Sequence, residues 1–219
     1  MKRLISMSVT GALALMLLLP NPSSAAEIKK GIKIGVNLAS LRGESMDELN
    51  AYLGERMKSK LAFCFGGFVT YHINEMFAVQ PEVLITMKGA KYKEEIGGEI
   101  LKVLINLTYL EIPILAKIKV PSLGTFKPVL FAGPAVAIKL SGKVKAEYEG
   151  TTVEEDIEDT KGIDFGFVIG AGIDWGKGVF GVGKLAVDLR YTLGISTISE
   201  FPDDDVKNGA FSLMVGFTF

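Results

Sequence analysis

The chain has a single histidine, His72, and a single cysteine, Cys64. Acyl transfer and ester hydrolysis need a nucleophile beside a basic partner, most often histidine. His72 falls in a short link between two apolar stretches, where it reads as a turn residue. Carboxylates are more plentiful. "EYEGTTVEEDIED" gathers Glu147, Glu149, Glu154, Glu155, Asp156, Glu158 and Asp159, and "FPDDD" adds Asp203, Asp204 and Asp205. Hard oxygen ligands of this kind suit calcium or magnesium, but neither stretch has the spacing of an EF-hand loop. Both read as solvated loops, and no spacing brings a specific carboxylate pair together for acid–base work. Gly170-Ala171-Gly172 invites a nucleotide reading, yet it lies inside a strand pattern with no helix after it, so the fingerprint lacks its context. No cofactor, no metal site and no enzymatic activity are expected.

The remaining chemistry is electrostatic. Lys33, Lys88, Lys117, Lys119 and Arg190, with Glu82, Glu111, Asp164, Asp174 and Asp188, all recur on the polar side of stripes of period two. Two carriers of these charges show the pattern. "GIKIGVNLA" sets Ile32, Ile34, Val36 and Leu38 against Lys33, Gly35, Asn37 and Ala39. "KLAVDLRYTLG" sets Leu185, Val187, Leu189, Tyr191 and Leu193 against Lys184, Ala186, Asp188, Arg190 and Thr192. Eight segments share this grammar, the last being "FSLMVGFTF". Phe68 and Phe131 fall on the wrong side of their stripes, and Pro81, Pro113, Pro128 and Pro134 interrupt strand patterns, so bulges or strand ends are expected there.

The connectors alternate in length. Short links span His72–Met76, Val120–Thr125 and Gly176–Gly183. Long polar links span Ser40–Lys60, Ala90–Leu107, Ser141–Lys161 and Ile195–Asn208. Such alternation predicts up-and-down antiparallel strands with all long loops at one end, the asymmetry of bacterial outer-membrane barrels, whose short turns are periplasmic. In the first long link, Ser45-Met46-Asp47-Glu48 has capping-box spacing, and Met46, Leu49, Leu53 and Met57 fall at helical intervals. An ordered surface loop is the favoured reading of that link.

The first residues fit export. Lys2 and Arg3 precede a short apolar run and the small residues around Ala25, which describes a signal peptide over 1–25 followed by one domain over 26–219. Removing the leader takes Lys2 and Arg3 with it and makes the net charge of −1 more negative, so no basic excess favours nucleic acid. One cysteine excludes an intrachain disulfide. Beyond the leader, no apolar run approaches the roughly 18 residues of a spanning helix.

Which face meets water then decides the class. The second set of stripe residues is rich in Gly and Ala with scattered charges, a poor soluble surface but a good filling for a narrow lumen. The apolar set, about five residues per strand, makes the roughly 25 Å band that lipid requires. The sequence predicts an all-β fold, an eight-stranded antiparallel up-and-down transmembrane β-barrel with short periplasmic turns and long extracellular loops.

"GIKIGVNLASL", "FGGFVTYHINEMFAVQPEVLITMKG", "LTYLEIPILAKIK", "PVLFAGPAVAI", "GFVIGAGIDW", "VDLRYTLG" and the terminal Phe together resemble the outer-membrane β-barrel domain of small "porin family" proteins. The resemblance covers nearly the whole exported chain. It implies residence in outer-membrane lipid and a fold rather than a pore. It also implies that the last strand, with Phe217 and Phe219, is read by the barrel-assembly machinery. On this reading the protein has a structural or interaction role in the envelope, its loops available to extracellular ligands. A narrow channel for small solutes is the alternative. Lys33, Glu82, Lys88, Glu111, Lys117, Asp188 and Arg190 are the expected lumen charge network, with Arg190 and Lys117 bridging to Glu82 and Glu111.

Overall fold

A computed structural model describes residues 28–54, 57–96, 98–121, 126–175 and 183–219. The expected leader, most of the Val120–Thr125 link and nearly all of the Gly176–Gly183 link lie outside these residues. Ten elements follow in order: β1 (Ile28–Arg42), α1 (Glu44–Leu53), β2 (Lys58–His72), β3 (Phe77–Ile96), β4 (Glu99–Lys119), β5 (Phe126–Tyr148), β6 (Thr151–Asp156), β7 (Ile163–Trp175), β8 (Lys184–Gly194) and β9 (Lys207–Thr218). Every strand pairing is antiparallel. β4, β3, β2, β1, β9, β8, β7 and β5 are neighbours in that order, and pairing of β5 with β4 closes the ring. Eight strands form the barrel, and β6 lies outside it, paired with the upper part of β5.

The barrel is greasy outside and polar inside. Ile34 is 65% exposed and Leu189 59%, whereas Lys33 is 4% exposed and Glu82 fully buried. A water-soluble fold places these residue types the other way round. Closure also leaves no unpaired edge along the apolar band, which is what lets strands cross lipid. No helix among the described residues is long and apolar enough to cross a membrane.

Three features differ from expectation. Two of the long links are strand rather than loop. β3, β4 and β5 run for 20, 21 and 23 residues, about twice the 9–11 that span a bilayer. Alternation continues through "KYKEEI" and "ILKVLINL", so the ladder β3–β4 extends to Ile96↔Glu99. The β5–β6 turn carries positive φ at both Glu149 (48°) and Gly150 (75°), the mark of a tight two-residue hairpin. A sheet of β3 to β6 therefore projects beyond the band at the loop end.

The first long link does contain a helix, α1, but not the expected cap. Gly43 occupies the N-cap position without a side-chain bond, while Glu44 and Asp47 lie in the first turn and favour the helix dipole. Ser45 Oγ instead accepts from the Asp205 amide at 2.8 Å, tying the helix to the loop before β9. Met46 is buried and Leu49 exposed.

Pro81, Pro113 and Pro134 interrupt pairing without shifting register, whereas Pro128 lies near the start of β5, a strand end as expected. Pro81 pairs with Ile114 on β4, whereas the ladder opposite Val69 on β2 is broken, with the same register resuming on either side. Each proline lacks one donor, which faces one neighbour only. The register shifts fall elsewhere, between Ser59 and Cys64 and between Thr108 and Tyr109.

A candidate functional site in the barrel lumen

The pleat sends alternate side chains inward, so each polar stripe becomes part of the lumen lining. The charges meet in two tiers. In the middle tier, Lys33 on β1 places Nζ 2.7 Å from Glu82 Oε1 and 2.5 Å from Asp188 Oδ2. Arg190 on β8 donates through Nη1 to Glu82 Oε2 at 2.7 Å. Gln80 Nε2 donates to Glu82 Oε1 at 2.6 Å, so three side chains converge on one carboxylate. Nearer the loop end, Lys88 Nζ lies 2.6 Å from Glu111 Oε2 and 3.9 Å from Asp164 Oδ2. Asn208 Nδ2 donates to Asp164 Oδ2 at 2.9 Å and to the Tyr109 hydroxyl at 3.2 Å.

These ions are buried. A buried charge is tolerated when it is paired and hydrogen-bonded. The middle tier has both, whereas Lys88 and Glu111 are ion-paired with Glu111 Oε2 lacking a hydrogen-bond partner among the described residues. Above them the lumen is apolar. Leu107, Tyr109, Ala137 and Ile198 form a buried cluster, with Leu41, Ile105, Ile157 and Val206 packed on it. Ile198 comes from the loop between β8 and β9, which folds over the mouth. Lys161 N donates to Ile198 O at 2.8 Å and Ile198 N to Val206 O at 2.7 Å, so the loop is held as added strand-like structure.

The two misplaced aromatics have a packing reason. Phe68 stands opposite Gly31 on β1, and Phe131 opposite Gly170 on β7. A Cβ on Gly31 would fall 2.4 Å from Phe68 Cζ, and one on Gly170 2.5 Å from Phe131 Cε2. Each ring lies on the bare backbone of its neighbour and fills lumen that two side chains would crowd.

Of the expected network, Lys33, Glu82, Asp188 and Arg190 meet in one tier, and Lys88 and Glu111 in the other, where Asp164 joins them. Lys117 differs from expectation. Its ammonium donates to Gln80 Oε1 at 3.0 Å and reaches no carboxylate among the described residues. It sits too near the short-turn end to reach Glu111, which Lys88 occupies. Lys119 and Asp174 are half-buried at that mouth. His72 also lies there, with Lys29 Nζ 3.3 Å from its Nε2. The acidic residues of β5 and β6 are mostly exposed, and no described group of three His, Cys, Asp or Glu side chains converges on a metal position. Sequence reading missed Tyr109, Asn208 and Ile198. The stripe "LEIPILAKIKV" starts at Leu110, so extending its alternation by one residue turns Tyr109 inward, whereas Asn208 closes the long link Ile195–Asn208. Ile198 had no such signal, being in a loop.

The outer membrane protein beta-barrel domain matches over residues 21–200. No curated protein matches the chain. Among solved structures it is similar to Neisserial surface protein A, at 15% identity over 90% of this chain and 100% of that one, with a TM-score of 0.48. It is also similar to Ail, the attachment invasion locus protein of Yersinia pestis (17%, 88% and 99%, 0.43). The N-terminal beta-barrel domain of Pseudomonas aeruginosa OprF is a third such structure (14%, 87% and 97%, 0.33).

Proposed function

Because the chain belongs to the outer membrane protein beta-barrel domain family, and so lies in the outer membrane of a Gram-negative envelope with its short turns periplasmic, we propose that it is a closed barrel with a structural or interaction role. The observation that carries this reading is the Arg190–Glu82 pair, which crosses the lumen at 2.7 Å. An eight-stranded barrel is just wide enough for side chains to fill. A permeating ion would have to displace paired charges and then pass the apolar cluster around Ile198. The long loops and the sheet of β3 to β6 then form the working surface, presented to extracellular ligands. Residues 1–25 direct export and are removed. The last strand, through Phe217 and Phe219, addresses the chain to the barrel-assembly machinery. Liposome swelling tests the closed barrel: vesicles carrying the protein should exclude small sugars and amino acids as protein-free vesicles do. Rapid, size-dependent uptake would assign it to the channel class instead.

A further inference from the structure

The charge balance of the lumen is uneven along its length. In the two tiers every cation has a carboxylate. Below them, at the periplasmic end, a cavity of about 70 Å³ is lined by Lys117, Lys127 and Lys184 against Asp174, with Lys29 and Lys119, which have interactions of their own, along its wall and Lys33 and Asp188 already paired at its roof. It opens into a vestibule of about 730 Å³ that shares Lys29, Lys119, Lys127 and Lys184 and has Glu75 at its rim.

Lys117 makes the imbalance specific. Its side chain is 7% exposed, and an ammonium carries three donors and a full charge. Its hydrogen-bond acceptor is a neutral amide oxygen, Gln80 Oε1. That oxygen is fixed in place, because it also accepts from Thr70 Oγ1 at 2.8 Å while the amide nitrogen donates to Glu82. Phe131, whose ring centroid is 6.0 Å from Nζ, closes one side. Leaving a buried ammonium without a counter-charge is unfavourable. An anion in the cavity would supply that charge and take the remaining donors.

We propose that the periplasmic mouth of the barrel is a binding site for a phosphate group. The cavity is roughly five times the ~15 Å³ that holds one water, which suits the five heavy atoms of phosphate. The donors are ammonium point charges without an Arg fork, which favours a multiply charged tetrahedral anion over planar, bidentate carboxylate recognition. The Lys33–Asp188 pair closes the top, so the site is a blind pocket. It lies below the Arg190–Glu82 pair and holds whether or not the barrel conducts. The phosphate can belong to a soluble phosphate or phosphomonoester, or to a phospholipid headgroup of the adjoining leaflet.

The test is calorimetric titration of the refolded protein, in micelles of an uncharged, phosphate-free maltoside detergent at constant ionic strength, with inorganic phosphate. One saturable site is expected. Lys117→Met should weaken it at least tenfold, and Lys143→Met, on the extracellular hairpin, should leave it unchanged. Without phosphate, Lys117→Met should melt higher than wild type, because it removes an uncompensated buried charge, and phosphate should raise the melting temperature of wild type alone. If Lys117→Met does not fold, the rim double variant Lys127→Met with Lys184→Met must weaken binding instead. Wild-type binding in nanodiscs of phosphatidylglycerol is then compared with discs brought to equal surface charge by oleate. Weaker phosphate binding in the former assigns the site to the headgroup, and equal binding assigns it to soluble phosphate. No saturable site, or undiminished affinity in the lysine variants, overturns the proposal.

Discussion

Arg190 and Glu82 stand on strands four places apart in a ring of eight, so their 2.7 Å contact spans the full width of the lumen. Lys33 reaches the same carboxylate from β1, midway round the wall, and also pairs with Asp188, which stands beside Arg190 on β8. Glu82 thus holds two cations, whereas Arg190 has one carboxylate. Removing one partner of a buried pair costs about 3–5 kcal/mol. Glu82→Gln should cost that much and Arg190→Met less, since Glu82 keeps Lys33. The double variant should cost less than the sum of the two. Urea unfolding from vesicles measures all three, and additive losses, or a larger loss for Arg190→Met, would contradict the geometry.

Gly31 yields a packing prediction. A Cβ there meets Phe68 Cζ and the backbone oxygen of Phe217, both at 2.4 Å. Overpacking of this kind typically costs about 1–3 kcal/mol. Gly31→Ala should lower the unfolding midpoint, and Phe68→Leu should restore only part of it, because the Phe217 oxygen cannot withdraw. Full restoration would show that the ring alone sets the limit.

The glycines show what the sequence makes legible. Outward stripes are read directly, because lipid demands apolar residues at every second position and nothing else competes. Inward positions are harder, since a lumen accepts whatever fits across it. Phe68 and Phe131 look like errors of pattern until register brings Gly31 and Gly170 opposite them. Lys117 looks like Lys88, yet Lys88 meets Glu111 and Lys117 meets only an amide. Those pairings depend on strand stagger around the ring, which single strands do not encode. The extension of β3 to β6 was hidden for another reason, since charged residues on both faces of a strand outside lipid resemble a loop.

The projecting hairpin carries a pH dependence. Lys143 on β5 and Glu154 on β6 form an exposed ion pair. The hydrogen bond from Lys143 holds the Glu154 carboxyl below its ordinary range, and the same bond raises the Lys143 ammonium. A depressed carboxylate stabilises above its unfolded pKa and loses this as pH falls through the folded value. A raised ammonium stabilises below its unfolded pKa and loses this as pH rises through the folded value. Amide-exchange protection at Ala146 and Val153 should therefore be flat at neutral pH and decline below about pH 4 and above about pH 10.5. The change should be small, as for other exposed pairs. Glu154→Gln should abolish the acid limb, and an unchanged limb would assign it to another group.

Phe219 is exposed at the periplasmic end, its amide donating to Lys30 O at 2.9 Å, with its ring 6.5 Å from that of Phe217. If this end is the assembly address, Phe219→Asp should reduce heat-modifiable folded barrel in cells much more than Thr218→Ala does. Equal amounts of folded barrel from both variants would remove Phe219 from that role.

Single-channel recording in planar bilayers tests the closed lumen most directly. The wild-type protein should show little steady conductance, because the Arg190–Glu82 pair and the cluster around Ile198 obstruct the path in series. Arg190→Ala should add brief open events, and Arg190→Ala with Ile198→Gly should add longer ones. A stable, ohmic pore in the wild type would contradict the account and make the protein a channel.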